Sequence, residues 1–178
     1  MRTGFTQKMT LAALMCALLC VCSQIVIPIP PVPLSLSLLA VHLCGALLGP
    51  SWSTAAAGAY VLLGAAGLPV FAGFAGGVSV LFGPTGGFLL GYIACAWIVG
   101  MLVHRLGFSR RALILSMSAG TLLCYLPGVL WFMPLTGTDF AGSLAVCVLP
   151  FLPGDVLKIL LASALTRRMQ KPLRAMGL

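Results

Sequence analysis

Acid is nearly absent from this sequence. Its 178 residues contain two aspartates, Asp139 and Asp155, and no glutamate, against ten Lys and Arg. Charged residues make up 7% of the chain, where a soluble domain carries about 25%. Too few polar groups remain to cover a water-facing surface, and 61% of residues are hydrophobic with a mean hydropathy of +1.15. The composition therefore indicates an integral membrane protein folded as one bundle. A single span carrying a soluble domain is excluded, because no stretch is polar enough to be one. The net charge of +8 does not point to nucleic acid. The basic residues lie beside apolar runs, and no aromatic–basic interleaving accompanies them.

Missing motifs exclude several chemistries. There is no GxxxxGK[ST], hence no phosphate loop, and no HExxH or GxSxG. Gly154-Asp155 hints at an intramembrane aspartyl protease, but that chemistry needs two carboxylates, and Asp139 falls in an outer turn. His42 has no acidic neighbour in sequence and reads as a packing or hydrogen-bonded histidine. The seven cysteines all lie in apolar runs, in odd number and without CxxC, and are expected to pack as small apolar residues. Cys16 and Cys20 share a helix face, but no histidine has ligand spacing to them. Neither metal nor cofactor is expected.

Six transmembrane helices are predicted, over roughly residues 9–27, 34–48, 51–66, 88–103, 112–133 and 143–169. The first has the basic start of a signal peptide. Its apolar run is too long for one, however, and ends in Pro28 rather than at a small-residue cleavage site. Pro28 to Pro33 cannot be helical and reads as an extended outer connection. Helices two and three, separated by Gly49-Pro50, are near the lower limit of about 17 residues for a span, as if covering a site. Residues 67–87 are apolar but rich in glycine, with Pro69 and Pro84. Irregular backbone at membrane depth persists only where it is buried in protein or lines a cavity, so this segment is expected to be an ordered loop in the mouth of the bundle. Pro127 should kink helix five, and Pro150 and Pro153 should interrupt helix six. With six spans, nine of the ten basic residues fall on one face: Arg2, Lys8, Arg105, Arg110, Arg111, Arg167, Arg168, Lys171 and Arg174. Positive charge marks the cytoplasmic side, so both termini are expected there.

The tenth, Lys158, stands inside an apolar segment three residues after Asp155. Residues at that spacing share a helix face. A charge in hydrocarbon costs about 2.5–3.5 kcal/mol and normally faces a polar cavity. Asp155 can accept from N–H groups and Lys158 can donate to a carbonyl or carboxylate. The pair is therefore the expected centre of a binding or transport site, with a structural ion pair pinning the last helix as the alternative. On helix one, Ala13 and Ala17 form a small-xxx-small face, extended by Cys16 and Cys20, that suits close packing. Gly45 with Gly49 and Gly87 with Gly91 repeat this spacing and read as internal.

Several blocks carry a family resemblance. They are Pro30-Pro31-Val32-Pro33-Leu34-Ser35-Leu36, Leu47-Leu48-Gly49-Pro50, Tyr60 through Gly73, Gly76-Gly77, Leu81-Phe82-Gly83-Pro84-Thr85-Gly86-Gly87-Phe88, and Pro150-Phe151-Leu152-Pro153-Gly154-Asp155 with Lys158. In this order the chain resembles the BioY family, the biotin-binding S components of energy-coupling factor (ECF) vitamin transporters. The resemblance implies a six-helix S-component fold in the cytoplasmic membrane, with a pocket open to the outer side and no ATPase of its own. It implies biotin as transported substrate, bound by Asp155 and Lys158. Tyr60, Phe71, Gly73, Thr85 and Gly86 would join them, and the glycine-rich loop would close over the ligand. Partners would be a transmembrane coupling subunit, docked on Ala13 and Ala17, and two ABC-type ATPases. One block departs from the family: the segment Ser35-Leu36-Ser37-Leu38 stands where relatives commonly read TLQT, placing Ser37 at the glutamine position. A sibling S component for another small vitamin, or a structural membrane subunit, are the competing readings.

Overall fold

A computed structural model describes residues 2–27 and 33–175 of the chain, with side chains described for 4–27 and 33–170. Most of the proline segment, residues 28–32, therefore lies outside the described residues, as do the side chains of Arg2, Lys171 and Arg174. Helix α1 spans Arg2–Gln24, followed by a two-residue strand β1 (Val26–Ile27) antiparallel to β2 (Leu34–Ser35). Val26 pairs with Ser35 and Ile27 with Leu34. Then come α2 (Ser37–Ala65), a single turn α3 (Val78–Leu81), α4 (Gly86–Leu106), α5 (Arg110–Thr136), α6 (Phe140–Cys147) and α7 (Leu152–Ala175). Two expected boundaries move inward. The first helix stops at Gln24 rather than 27 and the second starts at Ser37 rather than 34, because the intervening residues form the β1–β2 ladder.

The two short helices expected around Gly49-Pro50 are the two arms of α2. Gly49 has φ 75° and ψ 176°, a conformation that L side chains rarely adopt. The thiol of Cys44 lies 3.8 Å from the Ser53 carbonyl, whereas nine residues of straight helix would separate them by about 13 Å. The chain therefore turns back at Gly49, and the arms run side by side. Pro50 fits there because the first turn of a helix needs no N–H.

Helix α4 packs between α2 and α5, α1 lies against α2, and α7 closes the bundle against α2 and α5. Glycine allows the closest of these approaches. A Cβ on Gly45 would stand 2.8 Å from Val99 Cβ and 2.9 Å from the Ala96 carbonyl, and one on Gly91 would stand 2.7 Å from the Cys124 carbonyl. The expectation that Gly45 and Gly91 serve internal packing agrees with this. The expected break in the last helix is also present: α6 and α7 are bent by 55°, with Pro150 in the linker and Pro153 in the first turn of α7. Among the described residues four helices can cross a membrane by length and composition, or five if α6 and α7 form one broken span. Their outer faces carry exposed Leu115, Leu122, Leu126 and Leu130 on α5 and Val156, Leu157, Leu160 and Leu161 on α7. An apolar exterior on this scale suits lipid rather than water, consistent with a multi-pass membrane protein.

His42 occupies the junction of α2, α4 and α5, fully buried. Its Nε2 is 3.1 Å from Thr121 Oγ1 and its Nδ1 3.8 Å from Cys95 Sγ. Thr121 already donates its one proton to the Met117 carbonyl at 3.0 Å, so Nε2–H donates to Thr121 and Nδ1 accepts from the thiol. This is the hydrogen-bonded packing histidine expected from the sequence. All seven cysteines are free thiols.

Candidate functional site

The loop between α2 and α4 is built from its own backbone contacts. The Gly77 N–H donates to the Gly64 carbonyl at 2.7 Å, and the Phe71 N–H to the Ala75 carbonyl at 2.9 Å. These bonds turn Phe71 inward, where it is 1% exposed. Its ring meets Tyr60 edge-on at 5.5 Å and 78°. Gly64 makes room for that ring, since a Cβ there would collide with it. The segment is thus the ordered loop expected, with one addition, the short helix α3.

A clamp at the end of α1 fixes this loop, and no spacing in the sequence announces it. The Gln24 side-chain amide lies 3.0 Å from the Val70 carbonyl and 3.2 Å from that of Phe71. Its Oε1 accepts the Phe74 N–H at 2.8 Å. Ser23 adds a hydroxyl bond to the Val70 carbonyl. Phe74 itself has φ 59°, a costly conformation for a residue with a side chain, and the Gln24 bond helps to hold it. Gln24→Ala is expected to speed hydrogen exchange at amides 70–75 by about tenfold or more, with α4 and α5 unaffected, because local opening reflects the bonds lost. Hydrogen-exchange mass spectrometry of the purified protein measures this, and an unchanged loop would show that the clamp contributes nothing.

Beneath the loop lies a partly open cavity of about 160 Å³ lined by residues of β2, α2, the loop, α4, α5, α6 and α7. Its wall is largely apolar and aromatic, with Leu34, Leu38, Phe71, Phe88, Leu89 and Phe151 among its residues, and Asp155 and Lys158 reach it from α7. Both are nearly buried, at 4% and 5% exposure. Lys158 Nζ donates to Asp155 Oδ1 at 2.7 Å, and the Tyr125 hydroxyl donates to Asp155 Oδ2. Asp155 sits in the first turn of α7, where the helix dipole favours negative charge. Neighbouring side chains thus present an acceptor and a donor to one apolar chamber.

Of the residues expected at the ligand, Tyr60, Phe71, Thr85, Asp155 and Lys158 line this cavity. Thr85 precedes α4 without using its hydroxyl as a cap, so the hydroxyl remains available to a guest. Gly73 and Gly86 are not on the wall. Gly73 makes a turn at φ 72°, and Gly86 is pressed against the Leu81 carbonyl, where a Cβ would clash. Their missing side chains serve backbone geometry. Asp139, assigned to an outer turn, caps α6 by accepting the Gly142 N–H at 3.0 Å.

Ser37, at the glutamine position of relatives, is on the wall, and three further polar wall residues escaped the sequence reading: Ser35, Tyr92 and Tyr125. The Ser35 and Ser37 hydroxyls are 2.7 Å apart. The chain has only three tyrosines, and all three line the cavity. That was the available signal, because a phenol inside an apolar helix must find a polar partner.

On α1, Ala13 and Ala17 are exposed, beside Leu14 and Val21 at 60% and 62%. Cys16 does not extend that strip. It is buried with Ala12, Met15 and Leu19 on the side facing the core.

Comparison with known proteins agrees with this architecture. The model of the BioY family matches residues 1–175. The biotin transporter BioY of Thermotoga maritima is 38% identical over 160 residues, covering 90% of this chain and 94% of that protein. The probable biotin transporter BioY of Pyrococcus horikoshii is 37% identical over 164 residues, covering 92% and 96%. The crystal structure of the S-component for biotin from an ECF-type ABC transporter superposes with a TM-score of 0.89 at 28% identity, covering 96% of this chain and 94% of that one. The chain belongs to the BioY family.

Proposed function

We propose that this protein binds biotin and carries it across the cytoplasmic membrane as the substrate-specific component of an ECF-type transporter. The observation that carries this reading is the buried Asp155–Lys158 pair on the wall of an aromatic chamber. Biotin is a compact apolar bicycle whose ureido edge sets an N–H donor beside a carbonyl acceptor. Asp155 accepts from the N–H, Lys158 donates to the carbonyl, and the aromatic wall takes the rings. The valerate carboxylate then meets the Thr85 hydroxyl at the start of α4, where a helix N-terminus favours an anion; Lys158 is the alternative partner.

In this reading each arm of α2 is a separate traverse and α6–α7 a single broken one, giving six. Both termini, with the basic residues flanking α1, α4, α5 and α7, lie in the cytoplasm. The chain energises nothing by itself. A transmembrane coupling subunit receives it along Ala13 and Ala17, and two ABC-type ATPases supply the energy.

Isothermal titration of biotin into the detergent-purified protein tests substrate identity directly. Saturable one-to-one heat is expected. A folded protein that takes up no biotin while binding another vitamin would return the chain to a sibling substrate, and one that binds no small molecule would make it a structural subunit.

A further inference from the structure

We propose that Tyr125 is a specificity-determining positioning residue, whose hydroxyl holds the Asp155 carboxylate as a fixed acceptor that selects guests bearing an N–H. The proposal rests on the biotin reading above and adds to it a residue from a second helix. Lys158 shares α7 with Asp155, one turn away, so the ion pair alone fixes only one oxygen. A carboxylate held at one oxygen still turns about its Cβ–Cγ bond, a torsion with a broad, shallow preference. Tyr125 takes the other oxygen from α5, so two helices fix the carboxylate plane.

Hydrogen-bond capacity indicates what this arrangement selects. An ionised carboxylate has about four acceptor sites. Two are taken by Lys158 and Tyr125, both of which act as donors. The remaining sites demand further donors, and a guest offering a lone pair there meets repulsion. Lys158, with three N–H groups and one committed to Asp155, still has donors for a carbonyl. The Tyr125 ring also belongs to the cavity wall, so phenylalanine preserves the wall and removes only the hydroxyl. Of the chain's three tyrosines, Tyr125 is the one bonded to the ion pair among the described residues.

The test compares biotin with carbamate isosteres in which a ring oxygen replaces one or the other ureido N–H, each titrated into the purified parent and Tyr125→Phe. A hydrogen bond to a charged group contributes about 1.5–3 kcal/mol, which corresponds to tenfold or more in affinity. Tyr125→Phe is therefore expected to weaken biotin about tenfold. The isostere that lacks the N–H facing Asp155 should change by less than about threefold, so the biotin-to-isostere affinity ratio falls. A merely structural role would weaken both ligands alike and leave the ratio in place. Two further substitutions guard against misfolding. Tyr125→para-fluorophenylalanine fills the hydroxyl's volume without a donor and should reproduce the lowered ratio, and Tyr125→para-aminophenylalanine restores a donor and should recover it. An unmoved ratio in a parent that binds biotin overturns the role of Tyr125 alone. A parent that fails to bind biotin overturns the functional reading, and this proposal with it.

Discussion

Lys158→Ala is expected to weaken biotin binding by at least two orders of magnitude and to lower thermal stability as well. Removing one member of a buried ion pair costs about 3–5 kcal/mol, because the other charge is stranded. Here Asp155, 4% exposed, would keep only Tyr125 as a side-chain donor among the described residues. The guest would also lose a charged donor, itself about 1.5–3 kcal/mol. Since both stability and binding fall, the single variant cannot separate a site from an ion pair that merely pins α7. The double variant Asp155→Leu with Lys158→Met can. Replacing a whole buried pair by apolar residues is often neutral or stabilising, so its melting temperature should equal or exceed that of the parent. Biotin binding should nevertheless be lost, because neither the acceptor nor the donor remains. Titration calorimetry and a thermal melt on the same preparations read both quantities. A double variant that still binds biotin within threefold of the parent would sink the assignment of the pair to the guest.

What could be read in advance depended on the range over which each signal acts. Asp155 and Lys158 announced themselves because a charge in an apolar run is costly wherever it sits. The turn at Gly49-Pro50 and the α6–α7 break followed from local backbone chemistry, and both are present. Tyr125 lies 30 residues from Asp155, and no spacing rule joins them. The Gln24 clamp spans nearly fifty positions to Val70, Phe71 and Phe74 and is equally silent. The end of α1 was misplaced because Ile25, Val26 and Ile27 continue the apolar run, yet β2 offers their backbone a strand partner. The family resemblance places Gly73 and Gly86 at the ligand. The close approach at Gly86 is to the Leu81 carbonyl, and Gly73 is needed for its positive φ. Glycine enrichment shows that something comes near the backbone, and only the fold shows what.

Replacing both Ala13 and Ala17 by leucine is expected to abolish biotin uptake by cells, to below a tenth of the parent rate, while leaving biotin binding unchanged. The two effects separate because α1 has two faces with different neighbours. Met15, Cys16 and Leu19 pack inward against α2, whereas Ala13 and Ala17 are exposed on the outward side. Leucine at either position therefore adds apolar surface to an already apolar exterior, with no clash inside the bundle. Small residues at i and i+4 let a second helix backbone approach closely, and association in lipid depends on that packing. Two leucines would push such a helix outward, with overpacking costs of about 1–3 kcal/mol at each site. Co-purification with the coupling subunit, measured beside uptake, reads docking directly. Binding retained, complex lost and uptake lost would establish the face as the dock. Normal assembly and uptake would move the dock elsewhere on the bundle, and binding lost together with uptake would mean that α1 also shapes the cavity through Ser23, Gln24 and the loop they hold.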